Sequence, residues 1–188
     1  SKTLPEEQID AVYESLIKEK KNLVLCGMPM SGKTTIGKRL ANMMNRRFVD
    51  LDDEIVKREN KSIPEIFDEA GEAGFRKIEA EVVREWAKEN GCLISCGGGT
   101  VLSQANVRAL LQNGEICLID RPLSLLSAGE GRPLAKSMAE VSALYDARMP
   151  VYRACCTFSV TNDADLSAVC KEIEEKFYET ACTKRAES

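Results

Sequence analysis

The chain has 188 residues, 44% of them hydrophobic, and 26 Lys and Arg against 30 Asp and Glu give a formal net charge of −4. That is enough apolar material for one domain with a real core, and the mild negative balance, with no dense basic block, argues against a general nucleic-acid or membrane-surface role. Histidine is absent altogether, which excludes a Ser-His-Asp or Cys-His triad and any His-ligated metal and leaves proton transfer to carboxylate, Lys, Tyr or substrate.

In chain order, Thr3-Leu4-Pro5-Glu6 reads as a helix start with Thr3 as cap and Glu6 completing a capping box. Ile9, Val12, Leu16 and Ile17 then recur at helical spacing and predict one apolar face. Leu23-Val24-Leu25-Cys26 is a short apolar run, followed by Gly27-Met28-Pro29-Met30-Ser31-Gly32-Lys33-Thr34 and a helical segment over 35–44. The pattern G-x-x-x-x-G-K-T is a phosphate-binding P-loop, whose glycines let successive backbone N–H groups face one anion at the positive end of the next helix. Lys33 would reach the β- and γ-phosphates and the Thr34 hydroxyl would ligate Mg²⁺. A glycine turn between strand and helix is the plainer alternative; the context of strand before and helix after speaks for the nucleotide.

Residues 46–49 form a second strand candidate running into Asp50-Leu51-Asp52-Asp53-Glu54. Ser62-Ile63-Pro64-Glu65 starts another helix, with Ser62 as cap, and Gly71-Glu72-Ala73-Gly74 predicts a break. Phe75, Ile78, Val82, Val83 and Trp86 then share a helical face. A third strand over 92–96 ends in Gly97-Gly98-Gly99-Thr100; a helix over 103–112 and a fourth strand over 115–120 follow. From 121 to 136 the chain reads as a short helix plus a mobile loop, and 139–155 as a helix interrupted by Pro150. Residues 157–161 make a fifth strand, and Leu166, Val169, Cys170, Ile173 and Phe177 line a closing helix. Apolar strands alternating with helices predict an α/β domain, a parallel sheet of about five strands covered on both faces. The eight cysteines form no C-x-x-C pair and mostly sit in apolar runs, so they read as reduced, core-filling thiols of a soluble, cytoplasmic protein. No apolar run approaches the length of about 18 residues that a membrane helix needs, and no signal-peptide pattern is seen.

In such a sheet ligands gather at the carboxyl ends of the strands, and three strand candidates here end in chemically loaded stretches. Asp50 and Asp52 would stand near the phosphates, one able to hold the water shell of Mg²⁺ and the other able to orient or deprotonate an acceptor hydroxyl. Asp53 and Glu54 read more simply as an acidic helix start. Three glycines after a buried strand point to close approach of a ligand or of backbone. Arg76, Arg132 and Arg148, taken singly, are ordinary surface arginines.

Together with the P-loop, Phe48-Val49-Asp50-Leu51-Asp52, Gly74-Phe75-Arg76-Lys77-Ile78-Glu79, Gly97-Gly98-Gly99, Arg132-Pro133-Leu134 and Arg148-Met149-Pro150-Val151-Tyr152 resemble shikimate kinase, in that family's order, over roughly residues 22 to 180. The resemblance implies a nucleoside-monophosphate-kinase type of three-layer P-loop fold with substrate-binding helices and a lid at about 121–136. It implies transfer of the ATP γ-phosphate to the 3-hydroxyl of shikimate, in aromatic amino-acid biosynthesis. By the same resemblance Lys33 is the P-loop lysine, Gly27 to Thr34 with Thr35 and Arg132 hold the nucleotide, Thr34 ligates Mg²⁺ and Asp50 supports it through water. Asp52 binds the ring hydroxyls and is placed as base, Arg76 and Arg148 clamp the carboxylate with Gly97, Gly98 and Gly99 lining the pocket, and Arg132 swings toward the phosphate. The family's usual arginine ahead of the lid is missing from 125–131, a stretch also a few residues short. The expected organisation is a helical extension over 1–21, the kinase domain over 22–182 and a tail over 183–188, as a monomer or as one part of a larger fused pathway enzyme. A gluconate- or nucleotide-type kinase and a degenerate kinase that binds without turnover are the alternatives.

Overall fold

The computed structural model describes residues 5–126 and 137–183. Five strands, β1 (Asn22–Cys26), β2 (Arg47–Asp50), β3 (Cys92–Ser95), β4 (Gly114–Asp120) and β5 (Phe158–Thr161), form one sheet in the order β2-β3-β1-β4-β5. Every pairing is parallel, and the helices α1 (Glu6–Lys20), α2 (Lys33–Met43), α3 (Leu51–Glu59), α4 (Ile63–Trp86), α5 (Gln104–Gln112), α6 (Met138–Cys155) and α7 (Leu166–Thr183) supply the crossovers and flanking layers.

The continuous apolar runs are explained by burial on both faces. Alternate side chains point to opposite sides of a strand, so Leu23 and Leu25 join Ile36 and Leu40 of α2 and Ile173 and Phe177 of α7 in one core. Val24 and Cys26 join Leu51, Phe75, Val82 and Tyr152 in the other. All eight cysteines are free, and Cys26, Cys92, Cys96, Cys117 and Cys170 are buried. Among the described residues no helix is long and apolar enough to cross a membrane.

Several element boundaries differ from the sequence reading for identifiable reasons. α1 begins at Glu6 with Pro5 at the cap position and no side-chain cap, so the expected Thr3–Glu6 box does not set its start; Thr3 itself lies outside the described residues. The apolar face of α1 stays open, with Ile9, Val12 and Leu16 at 44%, 56% and 44% exposure. The helix is held instead by its last turn: Arg46 donates to the carbonyls of Lys18 and Lys21, Gly91 N–H donates to Lys20 O at 2.9 Å, and Lys21 pairs with buried Glu115 at 2.7 Å. The break expected at 71–74 is present: Gly71, at φ 68°, ψ −178°, is non-helical and separates two helical stretches of α4 across a kink, a backbone state open to glycine. Ser62 and Glu65 do form the reciprocal cap at its start. Pro150 is absorbed inside α6 instead of interrupting it; Pro150 and Asp146, whose carbonyl loses its partner, are both exposed, so water can take the vacated bond. A 3₁₀ turn, Thr100–Leu102, follows the triple glycine. In the 121–136 stretch the described part holds a 3₁₀ turn at Leu123–Leu125, and the rest of the expected lid, 127–136, lies outside the described residues.

One packing detail positions the P-loop helix. A Cβ at Gly37 would come within 2.6 Å of the Phe48 ring and 3.2 Å of Leu93, so α2 lies close to the sheet because residue 37 has no side chain. Gly37→Ala is expected to lower unfolding free energy by about 1–3 kcal/mol through overpacking, despite alanine's better helix propensity, as read from a shift of the urea midpoint.

Candidate active site

The loop after β1 turns through left-handed conformations at Met30 (φ 66°) and Gly32 (φ 95°) and enters α2 with Gly32 as its cap residue. The orphan amides of the first helical turn and the dipole therefore face one place. Lys33 is 8% exposed and its Nζ donates to Gly27 O at 2.9 Å and Met28 O at 2.7 Å. The ammonium is thus already in the loop, held by carbonyls. Thr34 Oγ1 donates to Asp50 Oδ2 at 3.3 Å.

Asp50 ends β2 and caps α3, its Oδ1 accepting from Asp52 N–H at 3.0 Å and Asp53 N–H at 3.4 Å. Burial, with the Asp53 charge adding to it, pushes its carboxyl up from the ordinary value, while those backbone donors and Thr34 pull it down. Asp52 is pushed further, to about 6, first by burial and then by the Asp50 and Glu79 carboxylates, against the pull of Lys33. A carboxylate that is ionised at neutral pH yet more basic than usual, beside a phosphate site, is suited to orienting or receiving a hydroxyl proton.

The three glycines after β3 each lie under one charged side chain. A Cβ at Gly97 would stand 2.7 Å from Asp52 Oδ1, one at Gly98 would stand 2.8 Å from Arg148 Nη1 and 3.2 Å from Pro29 Cγ, and one at Gly99 would collide with the Arg76 guanidinium. None of the three has a positive φ; what the site requires of them is the missing side chain. Asp52, Arg76 and Arg148, from three different helices, thereby converge on one short stretch of backbone, and Pro29 brings the P-loop to the same stretch.

The two arginines are held differently. Arg76 Nη1 donates to Glu79 Oε1 at 2.9 Å; Glu79 is 2% exposed and its other oxygen accepts from Thr100 Oγ1 at 2.8 Å, while Asn106 Nδ2 donates to Thr100 O at 2.9 Å. Arg148 Nη1 is buried and has no hydrogen-bond partner among the described residues. Its neighbour one turn on, Tyr152, is fully buried and donates to Gly98 O at 2.6 Å; burial raises that hydroxyl to about 12, so it stays a donor.

Of the residues singled out in the sequence, Lys33, Thr34, Asp50, Asp52, Arg76, Arg148 and Gly97 to Gly99 come together, with Met28, Met30 and Ser31 in the loop and Thr35 in the first turn of α2. Arg132 lies outside the described residues. Glu79, Thr100, Asn106 and Tyr152 had no assigned role in the sequence reading. Glu79 carried a signal, three residues after Arg76 on one helix face; the others act through long-range contacts that no local pattern announces. Among the described residues no group of three or more acidic or cysteine side chains could hold a metal alone. Hard oxygen donors at Thr34 and Asp50 nonetheless fit Mg²⁺, which is commonly held by one or two protein oxygens together with substrate phosphates and water.

The family model for shikimate kinase matches residues 29–178. A shikimate kinase of Clostridium beijerinckii is 38% identical over 160 residues, covering 83% of this chain and 94% of that protein. One of Limosilactobacillus fermentum is 39% identical over 149 residues, covering 76% and 86%. Among solved structures, a shikimate kinase of Acinetobacter baumannii in complex with shikimate superposes with a TM-score of 0.75 at 28% identity, covering 89% of this chain and 93% of the other. A gluconokinase of Sinorhizobium meliloti also superposes, with a TM-score of 0.64, but at 13% identity it shares the fold alone. With its P-loop, its acidic strand end and its two arginines over three glycines in one place, the chain belongs to the shikimate kinase family, enzymes that phosphorylate shikimate with ATP.

Proposed function

We propose that the chain transfers the γ-phosphoryl group of ATP directly to the 3-hydroxyl of shikimate, with no covalent enzyme intermediate, as a step toward aromatic amino acids. The observation that carries the assignment of residues is the unpartnered, buried Nη1 of Arg148 above Gly98, with Arg76 above Gly99 and Asp52 above Gly97. Buried polar atoms are normally satisfied, and a ligand carboxylate supplies the acceptor a guanidinium fork is built for. A small acid with several hydroxyls needs cations at one end and a carboxylate at the other, as this stretch offers.

On this reading the amides of the P-loop and Lys33 receive the triphosphate, Lys33 giving up its bonds to Gly27 O and Met28 O. Thr34 and Asp50 would hold Mg²⁺, which supplies charge neutralisation of the phosphates when bound. Asp52 holds the acceptor hydroxyl in line and takes its proton as the bond forms. Since phosphoryl transfer has a loose transition state, positioning weighs more than basicity. Arg132 is assigned, from the resemblance, to the transferring phosphate. Residues 1–21 are taken as an extension of the kinase domain at 22–182.

An ADP-release assay with shikimate, quinate, gluconate and no acceptor tests the reading; turnover confined to shikimate supports it, and turnover with gluconate or with no acceptor overturns it. Lys33→Met is expected to lower kcat by at least two orders of magnitude with the fold retained by circular dichroism. Arg148→Ala is expected to act mainly on the shikimate KM, by roughly 1.5–3 kcal/mol for a lost charge-assisted contact.

With Asp52 at about 6, kcat/KM for shikimate should fall tenfold per unit as pH drops below about 6, and Asp52→Asn should lose both the rate and this acid limb. The same shift makes a stability statement. The ordinary value is 3.8, so between that pH and about 6 the native state binds more protons than the unfolded chain, and stability declines as pH rises through this window. Asp52→Asn should therefore melt a few degrees above the parent protein at pH 7.5 and show no gain near pH 3.5.

A further inference from the structure

The strand order puts Asp52 and Gly97 to Gly99 on the β2–β3 side of the P-loop, which leaves the β4–β5 side to the remainder of the nucleotide. On that side a hydrogen-bonded cluster joins the P-loop to the ends of both strands. Asn162 follows β5 and is 9% exposed. Its N–H donates to Asp120 O at 2.7 Å, carrying the β4–β5 ladder one residue past Thr161. Its side chain reaches back across β4, and Nδ2 donates to Ser31 O at 2.8 Å. A Cβ at Gly32 would stand 2.8 Å from that same Nδ2, so the contact depends on glycine at the loop's end. The carbonyl of Asn162 accepts from Arg121 Nη1 at 3.2 Å, and Arg121 Nε donates to Leu125 O at 3.2 Å. Arg121, immediately after β4, thus ties Asn162 to the turn at 122–125.

We propose that Asn162, backed by Arg121, is a positioning residue for nucleotide binding: it sets the orientation of the Ser31–Gly32 peptide at the joint between P-loop and helix. The carbonyl and N–H of one trans peptide unit point in opposite directions. With Ser31 O turned onto Asn162, the Gly32 N–H is turned away from it, at the residue that caps α2. Ser31 is fully buried, so without Asn162 its carbonyl would be left unsatisfied, a condition the chain relieves by rotating the peptide. Gly32 makes that rotation easy, because a residue that tolerates φ 95° tolerates many other values. The glycine permits the turn and does not enforce it. Enforcement comes from a side chain two strands away.

The proposal rests on Gly27 to Thr34 being the phosphate cradle, and binding measurements separate the two. Affinity for a non-hydrolysable ATP analogue with Mg²⁺, and separately for shikimate, would be measured by calorimetry, alongside both KM values. Asn162→Asp keeps the shape and removes the N–H donor; Asn162→Ala removes the side chain. Both are expected to weaken analogue binding and raise the ATP KM about tenfold, as for loss of one buried hydrogen bond, with shikimate binding and KM within about twofold of the parent. Arg121→Ala, at a half-exposed position, should give a smaller rise of about threefold in the same direction. Unchanged ATP affinity in a folded Asn162→Asp protein overturns the proposal, as does an equal rise in both KM values, which marks general loosening. Should the Asn162 variants not fold, Arg121→Ala decides: a rise confined to ATP supports the brace and no rise overturns it. A parent protein that fails to bind the analogue overturns the cradle itself.

Discussion

Asp52, Arg76 and Arg148 can share one pocket because the strand between them runs out into three residues with no side chains. Everything else at the site follows from that clearance. Parallel strands deliver their carboxyl ends to one edge, but an edge alone would bring three charged groups against ordinary side chains and hold them apart. Gly97, Gly98 and Gly99 let them descend to backbone distance. Pro29 reaches the same backbone, so the P-loop and the three charged side chains meet on one short stretch. In a reaction governed by alignment more than by acid–base strength, that proximity is the main thing the fold supplies.

The clearance also concentrates charge. The Asp50 and Glu79 carboxylates both act on half-buried Asp52, which Lys33 relieves, while Arg76 pairs with Glu79. The surroundings answer with a supporting layer: Thr100 and Asn106 hold Glu79, Glu79 holds Arg76, and Tyr152 holds the Gly98 carbonyl. A guanidinium anchored by a buried carboxylate keeps a fixed direction before any ligand arrives. Arg148, by contrast, keeps one buried nitrogen in reserve. Of the two arginines, one is preorganised by protein and the other is, on the proposed reading, left for substrate to complete.

Legibility of the sequence followed the range of the interactions. β1, the P-loop and α2 were readable because glycines, lysine and apolar runs obey local rules over a dozen residues. The cap at Ser62 was readable for the same reason, since Ser62 and Glu65 satisfy one another within a turn. Pro150 misled because its helix-breaking effect depends on whether the deprived carbonyl meets water, which burial decides and spacing does not. Ile9, Val12 and Leu16 announced the helix but not its surroundings: periodicity reports amphipathicity, not what covers it, and here α1 is fastened by hydrogen bonds at its last turn. At the site, the arginines taken one at a time carried no signal; the resemblance drew them together, and the three contacts with the glycines give the physical cause. Asn162 and Thr100 were invisible, because the bonds that give them a role, to Ser31 and to Glu79, span long stretches of sequence.

The order β2-β3-β1-β4-β5 brings side chains to the glycine stretch from both sides of β1. β2 and β3 lead into Asp52, Arg76 and the three glycines, while the β4–β5 crossover carries α6, whose Arg148 reaches Gly98, and β5 ends in Asn162 behind the P-loop. On the proposed assignment, a change of acceptor would reach residues on both sides of β1, because the helix that carries Arg148 belongs to the half that also braces the phosphate loop.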